Sequence, residues 1–340
     1  MVNSDEDFYL KEIQDLLLSW KYVITSKDYK LQKIHDKWKD RVLMKLDYYP
    51  HRIIQWAIMQ QIEDVFMKVF SPFSCASVPK RWGKLAMQLM QKYMKDVDGT
   101  RYCLKLDVRK FYPNINHNIL KKLIREKIWC KKTLELLDMI IDSHPTDKWL
   151  PIWSYLSQYL ANYYLTFFDH WLKEALKVKY VVRYMDDIVI LASNKEELRE
   201  IFNKIKEYLS DNLELTIKSN YQVFPTKIRW IDFVWYRHFP TYRLLRKKTC
   251  KRMKKKMIKI YLKQRNWNFI NFQEWCSTNS YIWWLIHCDS YRLYQRYLQP
   301  LIGSVIKYYY FVISKKDKKK VKKYKKKLLI KKWNVWRFLH

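Results

Sequence analysis

Glycine is nearly missing from this chain: it accounts for 3 of the 340 residues, where an average protein has about 7%. Glycine takes a positive φ without strain and lets another group come close to the backbone. A folded chain needs such positions, so other residue types must occupy them here. Tryptophan, by contrast, occurs 16 times.

Long hydrophobic runs are also missing. No apolar run reaches the roughly 18 residues that a membrane-spanning helix needs, and the N-terminal segment MVNSDEDFYL is polar and acidic, unlike a signal peptide. The six cysteines form no CxxC pair. We therefore expect a protein that is neither membrane-spanning nor secreted, with reduced thiols in a cytoplasmic location. A metal held by Cys276, His287 and Cys288 is the minor alternative.

Acidic residues are few, with 33 Asp and Glu against 67 Lys and Arg, so the formal net charge is +34. A charge this positive favours a polyanionic partner, either nucleic acid or an acidic membrane surface. Hydrophobic residues make up 49% and aromatic residues 17% of the chain, which excludes wholesale disorder. The length suits two units or one large, multi-lobed enzyme.

The apolar pattern predicts mixed helices and strands. Two β-rich runs within 180–191 flank the acidic pair Asp186-Asp187 and indicate a hairpin. A lysine-rich run over 315–332 indicates a solvated tail that adds salt-sensitive affinity for RNA. The chain up to about 70 is expected to be mostly helical, and the other expected helices lie at 157–177, at 196–212 and, rich in basic residues, beyond 240. The other expected strands lie at 39–44, 102–108, 215–219 and 231–236.

Three aspartates indicate chemistry. Asp186 and Asp187 lie at the predicted hairpin tip, and Asp107 lies at the end of another predicted strand. Neighbouring carboxylates repel one another unless a cation lies between them. Carboxylates on two strand ends can hold two Mg²⁺ ions about 3.5–4 Å apart, the arrangement used for in-line phosphoryl transfer. An ordinary Asp-rich turn is the simpler alternative for the pair alone.

These residues resemble the motifs of reverse transcriptases. Tyr184-Met185-Asp186-Asp187 is similar to the catalytic motif of that family, and 106–112 (LDVRKFY) is similar to its first metal-binding motif. Further matching segments follow the family's order across roughly 37–240. They are the finger strand 39–43 (KDRVL), the finger motifs 49–52 (YPHR) and 77–81 (SVPKR), and the later segments 150–158 (LPIWSYLSQ), 215–218 (LTIK) and 231–236 (IDFVWY).

The resemblance implies a role for each matching residue. Asp107, Val108, Asp186 and Asp187 would hold two Mg²⁺ ions, with Mn²⁺ as a substitute, and Tyr112 would be the steric gate against the ribose 2′-hydroxyl. The implied nucleotide contacts are Arg41, Ile152, Ser157, Gln158 and Lys218, and the implied primer grip is Phe233, Val234, Trp235 and Tyr236.

Simpler interpretations compete with several of these roles. Tyr112 could be a core aromatic residue, while Arg41 and Lys218 could be solvated surface cations. Arg183 beside the hairpin could pair with a carboxylate or with a nucleic-acid backbone. A catalytically decayed polymerase that only binds RNA is the rival function.

The resemblance also implies an α+β fold of the right-hand polymerase type, in which helices flank an antiparallel palm sheet. We expect N-terminal helices and fingers in 1–100, palm with part of the fingers in 101–240, a helical thumb in 241–314 and a basic tail in 315–340. The implied partners are template RNA, the cDNA product and dNTPs, and no membrane.

Within the family, the chain resembles the compact enzymes of diversity-generating retroelements. Their positioning motif ends in Ser-Gln and has an aliphatic first variable position, here Ser157-Gln158 and Ile152. This resemblance implies error-prone copying, aided by a small basic accessory protein. An intron-like or antiphage-defence reverse transcriptase is the alternative.

Several tryptophans stand where the family has glycine. They are Trp82, Trp149, Trp153, Trp230 and Trp235. One cause explains both unusual counts: UGA codons written here as Trp are read as Gly in the natural host. We therefore expect the literal sequence to be weak or inactive as an enzyme. Trp56 and Trp171 fit amphipathic helices and are expected to be genuine tryptophans.

Overall fold

The structure is a computed structural model and describes residues 5–36, 39–144, 146–151, 154–267 and 270–308. The chain divides into two compact units. The first comprises Met1–Leu89 and Asp98–Phe224, and the second comprises Met90–Val97 and the chain from Pro225 onward. No helix within the described ranges is long and apolar enough to cross a membrane.

The first unit contains most of the helices and two sheets. Its helices are α1 (Glu6–Leu18), α2 (Ile53–Val69), the first part of α3 (Trp82–Tyr93), α4 (Phe111–Asn114), α5 (His117–Arg125), α6 (Lys131–Asp142), α7 (Tyr155–Tyr164), α8 (Thr166–Glu174) and α9 (Lys195–Leu213). Its strands are β1 (Lys30–Asp36), β2 (Lys39–Lys45), β3 (Tyr102–Asp107), β4 (Tyr180–Tyr184), β5 (Asp187–Ala192) and β6 (Gln222–Pro225).

A four-stranded sheet in the order β4-β5-β3-β6 forms the centre of this unit. Strand β5 pairs antiparallel with both β3 and β4. Residues 188–192 of β5 are all buried, because helices cover the sheet and the apolar run leaves no polar face. The predicted hairpin at 180–191 and the predicted strand at 102–108 are confirmed.

In the first unit, one expected strand is confirmed with an unexpected partner, and one expected helix needs correction. The strand expected at 39–44 is β2, but it pairs with β1, which the sequence pattern did not indicate. The helix expected at 157–177 is two helices, because the N–H of Leu165 donates to the carbonyl of Asn162, three residues back, at 3.2 Å. This tighter turn separates α7 from α8.

Helix α9 forms as expected over 196–212, and its start has a clear local cause. The side chain of Asn194 accepts a hydrogen bond from the N–H of Glu197 at 2.7 Å. This N-cap satisfies one of the backbone donors that every helix start leaves open. Buried Leu198, Ile201 and Ile205 then recur at helical spacing and pack into the core.

The second unit has a three-stranded antiparallel sheet followed by helices. The sheet order is β7 (Ile231–Phe233), β8 (Tyr236–His238) and β9 (Arg243–Leu245). The helices are α10 (Lys247–Trp267), α11 (Phe272–Leu285), α12 (Tyr291–Tyr297) and α13 (Ile302–Tyr308). The single strand expected at 231–236 is therefore wrong, because the chain turns at Val234-Trp235 and forms the β7–β8 hairpin.

Candidate active site

The tip of the β4–β5 hairpin carries the acidic pair. Tyr184 and Asp187 are the last paired residues, so Met185 and Asp186 form a two-residue turn. Met185 has a φ of 56°, a conformation that costs a non-glycine residue energy and that is often found at functional sites. The turn thus places Asp186 at the end of two strands whose central residues are buried.

The end of strand β3 lies beside this turn. Asp107 is the direct partner of Asp187 in the β3–β5 pairing, so the two side chains project from the same face of the sheet. The N–H of Val108 donates to the carbonyl of Asp186 at 3.2 Å. Two strands distant in sequence therefore bring Asp107, Asp186 and Asp187 together.

Lysines contact two of these carboxylates. The Nζ of Lys218 lies 2.5 Å from Oδ2 of Asp107, and the Nζ of Lys105 lies 3.5 Å from Oδ2 of Asp187. The backbone N–H of Lys218 also donates to the carbonyl of Asp107 at 2.9 Å. The strand expected at 215–219 is a single bridge between Val108 and Ile217, and this bridge is sufficient to place Lys218 at the site.

Asp186 experiences the repulsion that the sequence predicts. Burial, followed by the negative charge of Asp107, raises the pKa of Asp186 to about 7. Oδ1 of Asp107 is itself buried and has no hydrogen-bond partner among the described residues. The site therefore contains more carboxylate oxygens than its own hydrogen-bond donors and positive charges can satisfy.

This donor set suits a hard divalent cation. Carboxylate oxygens are preferred ligands of Mg²⁺, and a cation would relieve the repulsion between Asp107 and Asp186. In the described part of the chain, no group of three or more His, Cys, Asp or Glu side chains is arranged as a formed metal site. The ammonium groups of Lys218 and Lys105 supply positive charge to the carboxylates.

Tyr112 lies next to the hairpin. Its hydroxyl is 4.0 Å from Sδ of Met185, and burial, followed by the charge of Asp186, raises the pKa of Tyr112. The ring also packs against the core of the unit. Tyr112 thus fits both interpretations: it is half-buried against the core, and it lies at the edge of the site.

The positioning motif is described in part. Ser157 is 5% exposed within α7, so the core contains it, while Gln158 on the same helix is half-buried. Ser154, just before α7, donates to Oε1 of Gln55 at 2.6 Å. Ile152 and Trp153 lie outside the described residues, as does the side chain of Arg41.

Arg183 is the functional candidate for which the sequence allowed two kinds of partner. Its guanidinium is fully buried and forms an ion pair with Asp169 of α8, which is also fully buried. The alternative in which Arg183 pairs with a carboxylate is therefore correct. The available signal was an arginine inside an apolar strand, because a buried arginine needs a partner.

The expected primer-grip residues form the β7–β8 hairpin of the second unit. Phe233 and Tyr236 are fully buried, and the Tyr236 hydroxyl donates to the carbonyl of Trp284 at 2.9 Å. Val234 and Trp235 form the turn, with φ values of 42° and 70°. The aromatic residues of this motif thus form part of the core, and its turn is strained.

Comparison with known proteins gives a consistent result. The family model described as reverse transcriptase (RNA-dependent DNA polymerase) matches residues 24–234. The chain is 21% identical over 252 residues to a putative COX1/OXI3 intron 2 protein of Saccharomyces cerevisiae, covering 54% of this chain and 29% of that protein. The chain thus spans less than a third of that relative.

One solved structure similar to the chain is apo telomerase from Candida tropicalis. The TM-score is 0.53 at 12% identity, and the match covers 84% of this chain and 58% of that chain. A likeness at this identity concerns the fold. Together with the helices and antiparallel sheets described above, it confirms the expected α+β polymerase fold.

Proposed function

The chain belongs to the reverse transcriptase family, and from that membership we propose that it is an RNA-directed DNA polymerase with Asp107, Asp186 and Asp187 as its catalytic carboxylates. One observation carries the proposal. The end of β3 and the β4–β5 turn bring together three carboxylates, and burial and mutual repulsion raise the pKa of Asp186 to about 7. Perturbed carboxylates of this kind are typical of catalytic sites.

Asp107, Val108, Asp186 and Asp187 are the proposed holders of two Mg²⁺ ions, or of Mn²⁺ in their place. When bound, such a pair stabilises the attacking 3′-hydroxyl and the leaving pyrophosphate. Lys218 would then leave Asp107 and lie near the leaving pyrophosphate. Its 2.5 Å contact with Asp107 supports this role, because the ammonium group already lies at the site.

The proposed partners are template RNA, the cDNA product and dNTPs. A net charge of +34 supports them, because it favours polyanions. We assign fingers, palm, thumb and tail to 1–100, 101–240, 241–314 and 315–340, respectively. Arg41 and Gln158 are proposed to contact the nucleotide or template, and Trp235 the primer end.

Primer extension tests the proposal. Two proteins are compared: the chain with the sequence as written, and a glycine-restored chain that has Gly at 149, 153, 230 and 235. Each is supplied with an RNA template, a DNA primer, dNTPs and Mg²⁺. We expect extension that an Asp186→Ala variant of the same chain lacks. If neither form extends more than its Asp186→Ala control, the chain is better described as an RNA-binding protein with a polymerase fold.

At a finer level, we propose error-prone copying of the kind found in diversity-generating retroelements. By its position in the motif, Ile152 replaces a polar residue that other members of the family carry, and an isoleucine side chain cannot form a hydrogen bond with the nucleotide. Losing such a contact weakens base selection. Ile152→Gln is expected to lower the error rate opposite adenine, measured by sequencing the cDNA, and equal error rates for both forms would contradict the proposal.

The intron-like alternative has its own support in the similarity to the yeast intron 2 protein. The bound RNA discriminates between the two functions. A co-purified RNA that contains a repeat of a neighbouring gene favours the retroelement, with its small basic accessory protein. A co-purified intron RNA favours the alternative.

A further inference from the structure

Arg183 joins the catalytic hairpin to three other parts of the first unit. Its side chain uses all five of its N–H donors. Nε donates to Oδ1 of Asp169 at 2.7 Å and one NH2 proton to Oδ2 at 2.5 Å, while the other NH2 proton goes to Oγ of Ser74 at 2.9 Å. The NH1 group donates to Oδ1 of Asn162 and to the carbonyl of Met185, each at 3.1 Å.

The contact with Met185 is the one that reaches the turn. Met185 has a positive φ, and a non-glycine residue keeps such a conformation when the surrounding structure holds it there. The hairpin alone provides the Tyr184–Asp187 pairing on either side of the turn. The guanidinium adds a fixed donor to the carbonyl that immediately precedes Asp186.

The other partners hold the guanidinium in place. Asp169 and Asn162 are fully buried on α8 and α7, and Asn162 is itself fixed because its amide donates to the carbonyl of Ala76 at 2.6 Å. The backbone of Arg183 pairs with Phe73 and Cys75. A planar five-donor fork held on every side cannot move without breaking several bonds.

We propose that Arg183 is a positioning residue, which fixes the Met185–Asp186 turn and thereby the geometry of the catalytic carboxylates, with Asp169 and Asn162 orienting it. This inference rests on the proposed polymerase function. Arg183 itself touches none of the reacting atoms. It acts through the backbone of the residue beside Asp186.

Arg183→Lys tests the inference, because lysine keeps the charge but has three donors and no planar fork. The variant is made in whichever form of the chain extends primers best. At saturating primer–template and dNTP, kcat is expected to fall about 10–100-fold, the usual effect of disturbing the residues that orient metal ligands. Primer–template affinity is expected to stay unchanged. Mn²⁺ affinity, measured by electron paramagnetic resonance, is expected to fall about tenfold.

A purely structural role is excluded by a destabilised control. Leu172→Ala removes a fully buried side chain from α8, the helix that carries Asp169, and is expected to lower Tm while leaving kcat and Mn²⁺ affinity per folded molecule unchanged. If the kcat and the Mn²⁺ affinity of Arg183→Lys equal those of this control, the inference is overturned. Failure of the unmodified chain to extend primers would instead refute the proposed function.

If Arg183→Lys does not fold, a second variant tests the positioning role. Ser74→Ala removes one acceptor from the same guanidinium, at the NH2 group and not at the NH1 group that contacts Met185. A reduced kcat together with weaker Mn²⁺ binding supports the positioning role. Values equal to those of the unmodified chain overturn it.

The backbone carries a second, independent inference. Among the described residues, three tryptophans have positive φ values, namely Trp20 at 57°, Trp149 at 100° and Trp235 at 70°, whereas none of the three glycines does. Trp20 lies outside every motif that points to a missing glycine. It follows α1, where its N–H donates to Leu17 at 3.4 Å and that of Lys21 to Leu16 at 3.1 Å.

This pair of bonds is the helix end at which glycine is the usual residue. We infer that Trp20 is also a glycine in the natural protein, encoded by the same codon as Trp149 and Trp235. Trp171, stacked on Tyr208 with ring centroids 4.3 Å apart, is a tryptophan. The gene and the peptide masses of the protein from its own host test this. UGA codons and glycine masses at 20, 149 and 235 are expected, with UGG and tryptophan at 171, and a tryptophan mass at 20 overturns the inference.

Discussion

Tyr112 combines two properties that are usually separate. Its ring packs against the core, and its hydroxyl is next to Met185 in the β4–β5 turn. A residue fixed in this way cannot move aside for a bulkier sugar. Rigid placement at the edge of the site is therefore the physical basis of the proposed gate.

Shortening Tyr112 should admit ribonucleotides. Tyr112→Ala is expected to raise the kcat/KM of a ribonucleotide relative to the matching dNTP by roughly 10–100-fold, the scale at which steric exclusion in a pocket discriminates. Tyr112→Phe keeps the ring and should behave like the unmodified chain. An unchanged ratio in a folded Tyr112→Ala protein would assign Tyr112 to the core alone.

Trp20 offers a test of strain at one residue. It is 47% exposed and is not among the side chains that pack against the core of the first unit, whereas its positive φ costs a non-glycine residue about 1–2 kcal/mol. Trp20→Gly is expected to raise the free energy of unfolding by about 1 kcal/mol in urea denaturation. In the matched control, Trp171→Gly should lower it by about 3 kcal/mol or more, because a packed indole is lost. Destabilisation by Trp20→Gly would show that the indole contributes more than the strain costs.

At the scale of elements, the β7–β8 turn is the clearest conflict between sequence and structure. Both turn residues, Val234 and Trp235, have positive φ, as a type I′ turn requires, and that turn strongly prefers Asn-Gly. A β-branched residue in this conformation is a genuine outlier. The hairpin thus forms because Phe233 and Tyr236 are buried on either side, against the preference of its own turn.

Replacing this turn should stabilise the hairpin. Val234→Asn combined with Trp235→Gly is expected to raise the free energy of unfolding by about 2 kcal/mol, because each strained residue contributes about 1 kcal/mol or more.

Trp235→Gly together with Gly at 149, 153 and 230 is expected to restore primer extension. The glycine-restored chain carrying Asp186→Ala serves as the inactive control, and stabilisation without restored extension would separate folding strain from function.

The same turn shows where prediction from sequence ends. Alternation and length indicated the 180–191 hairpin, because an acidic pair interrupts two apolar runs there. Across 231–236 the run Phe233-Val234-Trp235-Tyr236 contains no turn residue, so a single strand was expected. A glycine at 235 would have marked the turn. Strand β1 was missed for a related reason: its sequence, KLQKIHD, has few apolar residues to alternate.

The site was predictable to a similar degree. The order of the motifs along the chain is enough to indicate Asp107, Asp186 and Asp187, because the spacing of strand ends is visible in the sequence. The partners of Arg183 were not predictable, since Asp169 and Ser74 come from separate elements and their burial depends on packing. Local patterns indicate which residues need a partner, and the tertiary fold determines which partner they meet.

At the scale of the whole molecule, charge is the dominant property. A net charge of +34 means that the proposed binding to RNA would release many counterions from the phosphate backbone, and that the affinity would therefore fall steeply with salt. Charge of this kind supplies affinity without sequence preference. In the proposed function, template choice would consequently come from other contacts or from a partner.

The lysine-rich run over 315–332, with twelve lysines, provides the sharpest test of this view. Each phosphate contact contributes about 0.7 to the slope of log K against log salt for single-stranded nucleic acid. A chain that ends at residue 314 should therefore bind RNA with a visibly smaller slope, while its kcat at saturating template matches that of the full chain, because the proposed catalytic carboxylates lie at 107, 186 and 187. Replacing the twelve lysines by glutamine in the full-length chain controls for the loss of length and should give the same reduced slope. Equal slopes for all three proteins would mean that the RNA contacts lie elsewhere on the molecule and that this run serves another partner.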